Sequence, residues 1–202
     1  MIDVHLKVVG FFQTNCWAIE SPSEGLSAII DPGFGGRKIL EWVEDLRLQP
    51  KFVLLTHGHL DHIMAAHYLQ RKFKVPCLMH PKDIRYRWRW GGISFAKFTP
   101  IESGQPLKFG NIEIKVIHTP GHTPGSVSYL VEDLLFCGDL LFADGVGRWD
   151  TPKGNFRDLV TSLRKRIAAV PDDTKLYPGH GPESTLGIER NRNPIFWEKE
   201  KK

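Results

Sequence analysis

The amino-acid sequence predicts an α/β architecture in which strands are buried against helices on their outer faces. Three observations carry that reading. Short β-rich runs alternate with segments of helical periodicity, the alternation begins again after residue 110, and glycine and proline gather just behind the strand-like runs. No low-complexity or linker-like stretch separates the two halves, so residues 1–202 read as one domain.

Taken in order, IDVHLKVVG (2–10), CWAIES (16–21) and LSAIID (26–31) are strand-like. GRKILEWVEDLRL (36–48) is helical, KFVLLT (51–56) is a further strand, and HIMAAHYLQRKF (62–73) is helical again. An irregular stretch from Arg85 to Pro106, containing RYRWRW (Arg85 to Trp90) and GGISF, reads as a surface excursion between the halves. In the second half IEIKVIH (112–118), VSYLV (127–131) and LLFCG (134–138) are strands, and a helix is expected from Asn155 to Ala169 with Asn155 as its N-cap. The glycine and proline clusters fall at Asp31-Pro32-Gly33, Thr119-Pro120-Gly121, Gly138-Asp139 and Pro178 to Pro182. Strand ends and the loops behind them are where α/β proteins build sites.

Bulk properties exclude several classes. Hydrophobic residues are 41% and charged residues 25% of the chain, ordinary for a soluble globular protein, so neither disorder nor a membrane class is favoured. No uninterrupted apolar run approaches the ~18 residues of a membrane helix, and MIDVHLKVVG lacks the apolar core of a signal peptide. A cytoplasmic location is expected. Cys16, Cys77 and Cys137 are odd in number and widely spaced, which offers neither a disulfide framework nor a CxxC zinc site. A net charge of +4 spread over the chain selects no partner class.

The chemistry-bearing segment is LLTHGHLDH, which places His57, His59, Asp61 and His62 directly behind an apolar strand. Residues two apart in an extended segment point the same way, and the next two turn inward as a helix begins. Three imidazoles and a carboxylate gathered there repel when charged and lack partners when neutral, and a divalent cation resolves both problems. Further candidates stand at later strand ends in IHTPGHTPGS, LLFCGDLLF and LYPGHGP. Imidazole with carboxylate favours zinc, iron or manganese over calcium or magnesium, and the lack of cysteine points to an open catalytic site rather than a closed structural one. Spacing alone does not choose between His118 and His122. His5 and His67 are read as ordinary structural histidines.

THGHLDH, GHTPGS, GDLLF, the GRWD loop, PGHGP and STLGIERNRNP, in this order, resemble the metallo-β-lactamase superfamily, and within it the glyoxalase II-like (hydroxyacylglutathione hydrolase-like) branch. The resemblance spans nearly the whole chain. It implies a four-layer αβ/βα sandwich and two divalent metal ions, zinc first, with iron or manganese as alternatives. It also implies His57, His59 and His122 around one metal, Asp61, His62 and His180 around the other, and Asp139 bridging them. His118 is then structural, and Cys137 a small core residue. Asp31 and Thr56 are candidates for orienting ligand imidazoles. Arg148 and Asp150 are expected to pair and brace their loop.

The expected reaction is hydrolysis by a metal-bridging hydroxide, with Asp61 and Asp139 as the catalytic carboxylates. A thiolate, whose conjugate acid has a pKa near about 8.5, departs without much help, so a small-molecule thioester is the first choice of substrate. The resemblance points to an S-acylglutathione such as S-lactoylglutathione. Full-length glyoxalase II enzymes add a C-terminal helical region that contacts glutathione, whereas this sequence ends at Lys202. The Arg85 to Trp90 stretch is an alternative source of cationic and aromatic contacts. Rival readings are a persulfide dioxygenase using one iron and oxygen, and a metal-dependent nuclease suggested by the basic balance and the RYRWRW run. A true β-lactamase is a lesser one. No nucleic-acid or membrane partner is expected, and the oligomeric state is left open.

Overall fold

The computed structural model describes residues 2–86 and 97–197. Two six-stranded sheets carry the chain. The first has the order β1-β2-β3-β4-β5-β6, from β1 (Asp3–Val9), β2 (Thr14–Ser21), β3 (Leu26–Ile30), β4 (Gln49–Leu54), β5 (Cys77–Met79) and β6 (Phe98–Pro100). The second has the order β14-β13-β10-β9-β8-β7, from β7 (Leu107–Phe109), β8 (Ile112–His118), β9 (Val127–Val131), β10 (Leu134–Gly138), β13 (Lys175–Pro178) and β14 (Ser184–Thr185). A small hairpin, β11 (Leu141–Phe142) with β12 (Gly145–Val146), stands apart.

Strand alternation shows why the sheets stack. In β2, Trp17 and Ile19 point into the core between the sheets, while Cys16 and Ala18 point to the opposite face. β10 divides the same way: Leu134 and Phe136 face the central core, and Leu135 and Cys137 face outward. Strands covered on both faces read as unbroken apolar runs, as LLFCG does. The outer face of the first sheet is covered by α1 (Gly36–Asp45), through Ile39 and Val43, and by α3 (Ala66–Phe73), through Ala66 and Leu69. The outer face of the second is covered by α5 (Phe156–Thr161), the π-helical turn Ser162–Arg166 and α6 (Leu186–Arg192), through Leu159, Leu163 and Leu186. Helix, sheet, sheet and helix form the four-layer αβ/βα sandwich.

Three expectations need correction. The helical run 62–73 is two helices, α2 (Leu60–Ile63) and α3, because the Ala65 N–H leaves the helical ladder to donate to the carbonyls of Pro32 and Gly33. The helix expected from Asn155 to Ala169 begins as foreseen, with the Asn155 side chain accepting from the Asp158 N–H. It then widens into the π-helical turn at Ser162 and stops at Arg166. Within the excursion from Arg85 to Pro106, Phe98–Pro100 is a true edge strand, parallel to β5, and Ile101 is buried in the central core. The side chains of Arg85 to Trp90 lie outside the described residues, where α4 (Pro81–Tyr86) ends. No helix among the described residues is long and apolar enough to cross a membrane.

Candidate metal centre

All seven candidates lie behind strand ends, where the two sheets meet. β4 delivers His57; His59 takes the N-cap position of α2 with extended backbone, and the first turn of α2 delivers Asp61 and His62. The loop behind β8 delivers His122, the end of β10 delivers Asp139, and the loop behind β13 delivers His180. The sheets are tied together here. The Asn15 N–H donates to the Gly179 carbonyl (2.7 Å), the Asn15 side chain donates to the carbonyls of Pro178 (3.1 Å) and Gly181 (2.9 Å), and Trp17 Nε1 donates to the Pro178 carbonyl (3.0 Å).

The seven side chains fall into two triads that share a carboxylate. In one, His59 Nδ1 lies 3.1 Å from His57 Nε2 and 2.8 Å from His122 Nε2. In the other, His62 Nε2 lies 3.2 Å from His180 Nε2, and Asp61 Oδ2 lies 3.5 Å from the first and 3.3 Å from the second. Asp139 stands between them, with Oδ2 3.4 Å from His122 Nε2 and Oδ1 3.5 Å from His62 Nε2. The buried Oδ1 makes no hydrogen bond among the described residues. This close approach needs a glycine: a Cβ on Gly179 would press on Asp139 Oδ1 and meet His62 Cε1 at 2.7 Å.

The outward nitrogens show what the inward ones must do. His122 Nδ1 faces the Arg148 carbonyl (2.6 Å) and His180 Nδ1 faces the Phe12 carbonyl (3.0 Å); a carbonyl only accepts, so both nitrogens carry protons. The Thr56 hydroxyl donates to Asp31 Oδ2 (2.6 Å), so it accepts from His57 Nδ1 (3.0 Å). Asp31 Oδ2 also accepts from His62 Nδ1 (3.0 Å), and Oδ1 accepts the Thr56 N–H (2.8 Å). His57 Nε2 and His122 Nε2 therefore both converge on His59 Nδ1, a set of nitrogens that a divalent cation would satisfy together. The separations approach the edge of about 3.3 Å expected for nitrogens around a tetrahedral zinc. Asp31, His57 and His62 also approach one another, but Asp31 is occupied in orienting Thr56 and His62.

Protonation follows the same logic. Burial, reinforced by His62 and His59, pushes the His57 pKa well below the ordinary imidazole value, and burial with His122 and His62 takes His59 down to about 4. For His62 burial acts downward too, but Asp139 and Asp31 outweigh it and lift the group to about 9. Burial raises Asp61, yet its hydrogen bond to His180 and the positive charge of His62 and His180 hold it well below the usual carboxylate range. A cation competing for His62 Nε2 displaces a proton held by carboxylates.

The remaining candidates divide plainly. His118 donates from Nε2 to the Pro124 carbonyl (3.0 Å) and stacks flat on His80 at 4.3 Å, away from the triads. His5 pairs with Glu20, and His67 sits on α3. Cys137 is buried, with its thiol pushed up to about 12 chiefly by burial and donating to the Leu141 carbonyl. Arg148 and Asp150 form the expected two-point ion pair on the surface, but what holds His122 is the Arg148 carbonyl. Sequence reasoning missed Thr14, whose hydroxyl donates to Asp61 Oδ2 (3.2 Å), Asn15, and the fully buried Asp83. None belongs to a local pattern that marks it.

Known proteins resemble this chain over nearly its whole length. Hydroxyacylglutathione hydrolase GloC of Haemophilus influenzae is 32% identical, over 96% of this chain and 98% of its own length. The crystal structure of BLEG-1 B3 metallo-beta-lactamase superposes with a TM-score of 0.88 at 32% identity, covering 97% of this chain and 100% of that one. That of TTHA1623 in a di-iron-bound form superposes with a TM-score of 0.83 at 34% identity, covering 95% and 100%. The signature of the metallo-beta-lactamase superfamily matches residues 9–180, and the chain belongs to that superfamily.

Proposed function

We propose that this chain is a binuclear metal-dependent hydrolase that cleaves small-molecule thioesters, with an S-acylglutathione as the first candidate substrate. The observation that carries the reading is the pair of triads sharing Asp139, with imidazole nitrogens turned inward by acceptors behind them. His57, His59 and His122 would hold one cation, Asp61, His62 and His180 the other, and Asp139 would contact both. Cations bound there supply Lewis-acid chemistry, lowering the pKa of water toward roughly 7 and neutralising charge that develops on a carbonyl oxygen. Zinc is proposed; the di-iron form of TTHA1623 keeps iron in view.

The chain's own groups do the positioning. Asp61 stays ionised, fixed by Thr14 and His180, and presents a carboxylate that accepts hydrogen bonds and carries negative charge at the centre. Phe12 holds His180 through its carbonyl, so the β1–β2 turn sits against the centre, with Phe11 93% and Phe12 62% exposed. Exposed aromatics beside a polar centre provide an apolar platform for an acyl group and shield it from water. A thiolate leaves without a proton, which suits a centre of imidazoles and carboxylates. Similarity to GloC over nearly the full chain supports the same substrate class.

The test is thiol release from S-lactoylglutathione and longer acylglutathiones by the zinc-loaded protein. Turnover is expected, with Asp139→Asn lowering it by about 100-fold or more. Oxygen consumption with glutathione persulfide, and no thiol release from any thioester, would overturn the hydrolytic reading.

A further inference from the structure

Asp83, in the first turn of α4, is fully buried, and among the described residues every hydrogen bond its carboxylate makes goes to a loop that carries metal-centre residues. Oδ2 accepts the Gly58 N–H (2.8 Å) and the Thr123 hydroxyl (2.6 Å), and Oδ1 accepts the Gly125 N–H (2.7 Å). Gly58 lies between His57 and His59, and Thr123 follows His122. The contact is close enough that a Cβ on Gly125 would lie 2.6 Å from Asp83 Cγ. Ser126 Oγ accepts the Thr123 N–H (3.1 Å) and contacts its hydroxyl (2.8 Å), which fixes the far side of the same loop.

We infer that Asp83 is a positioning residue that sets the spacing between the His57–His59 turn and the His122 loop, and so governs metal occupancy of the His57–His59–His122 triad selectively. The inference rests on the two-metal reading above. The triad's tolerance is small, since His59 Nδ1 contacts partners from both loops at 3.1 and 2.8 Å. The other triad has separate supports: Asp31 behind His62, Thr14 against Asp61, and the Phe12 carbonyl behind His180. In Asp83→Asn one oxygen becomes an NH2 group, so at least one of the three donors faces a donor. Buried donors left unmatched displace the loop that bears them.

The experiment is a zinc titration of the metal-stripped full chain against a chromophoric chelator. Wild type takes up two equivalents. Asp83→Asn is expected to weaken one of them by about 10–100-fold and leave the other unchanged. Thr123→Val, which loses only the hydroxyl, shifts the same equivalent by less, and Thr123→Ser, which keeps it, matches wild type. The threonine pair keeps the test decisive if Asp83→Asn does not fold. Two wild-type equivalents in Asp83→Asn and Thr123→Val, or equal weakening of both equivalents, overturns the inference alone. A wild-type protein that binds fewer than two equivalents overturns the two-metal reading, and this inference with it.

Discussion

Replacing Gly179 with alanine tests how tightly the centre is built. The new Cβ would lie 2.7 Å from His62 Cε1, against a normal carbon–carbon separation of about 3.5–4.0 Å, and would press on Asp139 Oδ1 as well. Relief requires a shift of about 1 Å by the ring, the carboxylate or the loop. The loop is poorly placed to retreat, because the Gly179 N–H donates to the Gly138 carbonyl (2.9 Å) and its carbonyl accepts the Asn15 N–H (2.7 Å). The displacement therefore falls on Asp139 and His62. An error of that size at a reacting centre costs on the order of 100-fold in turnover. The assay is kcat/KM for thioester hydrolysis, with metal content measured after dialysis. Gly181→Ala is the control from the same loop: its Cβ meets nothing within 4 Å, but its φ of 74° is left-handed. Backbone strain of about 1–2 kcal/mol should lower its Tm while metal and turnover are kept. A Gly179→Ala protein with full metal and full turnover, or one no worse than Gly181→Ala, would refute the reasoning.

Three further outcomes follow from particular contacts. Below the ordinary imidazole value of 6.5 the metal-stripped protein should lose stability as pH falls toward 4, because folded His57 and His59 resist protonation. Above 6.5 it should lose stability as pH rises through about 9, because His62 gives up a proton that folding favours; thermal melts flat on both arms would contradict this. Arg148→Ala should leave metal content unchanged, since the backbone carbonyl and not the guanidinium holds His122; metal loss would assign the side chain a larger part. Phe11→Ala with Phe12→Ala should raise KM for long-chain acyl thioesters by about 10-fold with kcat nearly preserved, and an unchanged KM would remove the turn from substrate binding.

What the sequence made legible was local. His57, His59, Asp61 and His62 stand within six residues behind an apolar strand, so residue type and spacing marked them, and Asp139 and His180 stand in similar glycine-flanked settings; the choice of His122 over His118 came from the family resemblance and not from spacing. Asp31 and Thr56 were readable for the same reason, being strand-end polar groups next to glycine, proline or a ligand. Asp83 was not, because its partners lie 25 to 42 residues away and PKDIRY carries no pattern of its own. Asn15 acts across 163 and 166 residues of sequence. β5, β6 and β7 are three residues each, too short for a period to show, and were found only through their pairing. The break at Ala65 came from tertiary hydrogen bonding, the Ala65 N–H turning to Pro32 and Gly33, and the π-helical turn begins at Ser162, whose hydroxyl donates to the Pro120 carbonyl (2.6 Å).

The central claim is that two cations share Asp139. Metal analysis of the zinc-loaded protein, beside Asp139→Asn, tests it most directly. The account predicts about two zinc ions per wild-type chain and clear loss in the variant. A single ion per chain, retained in full by Asp139→Asn, would contradict it.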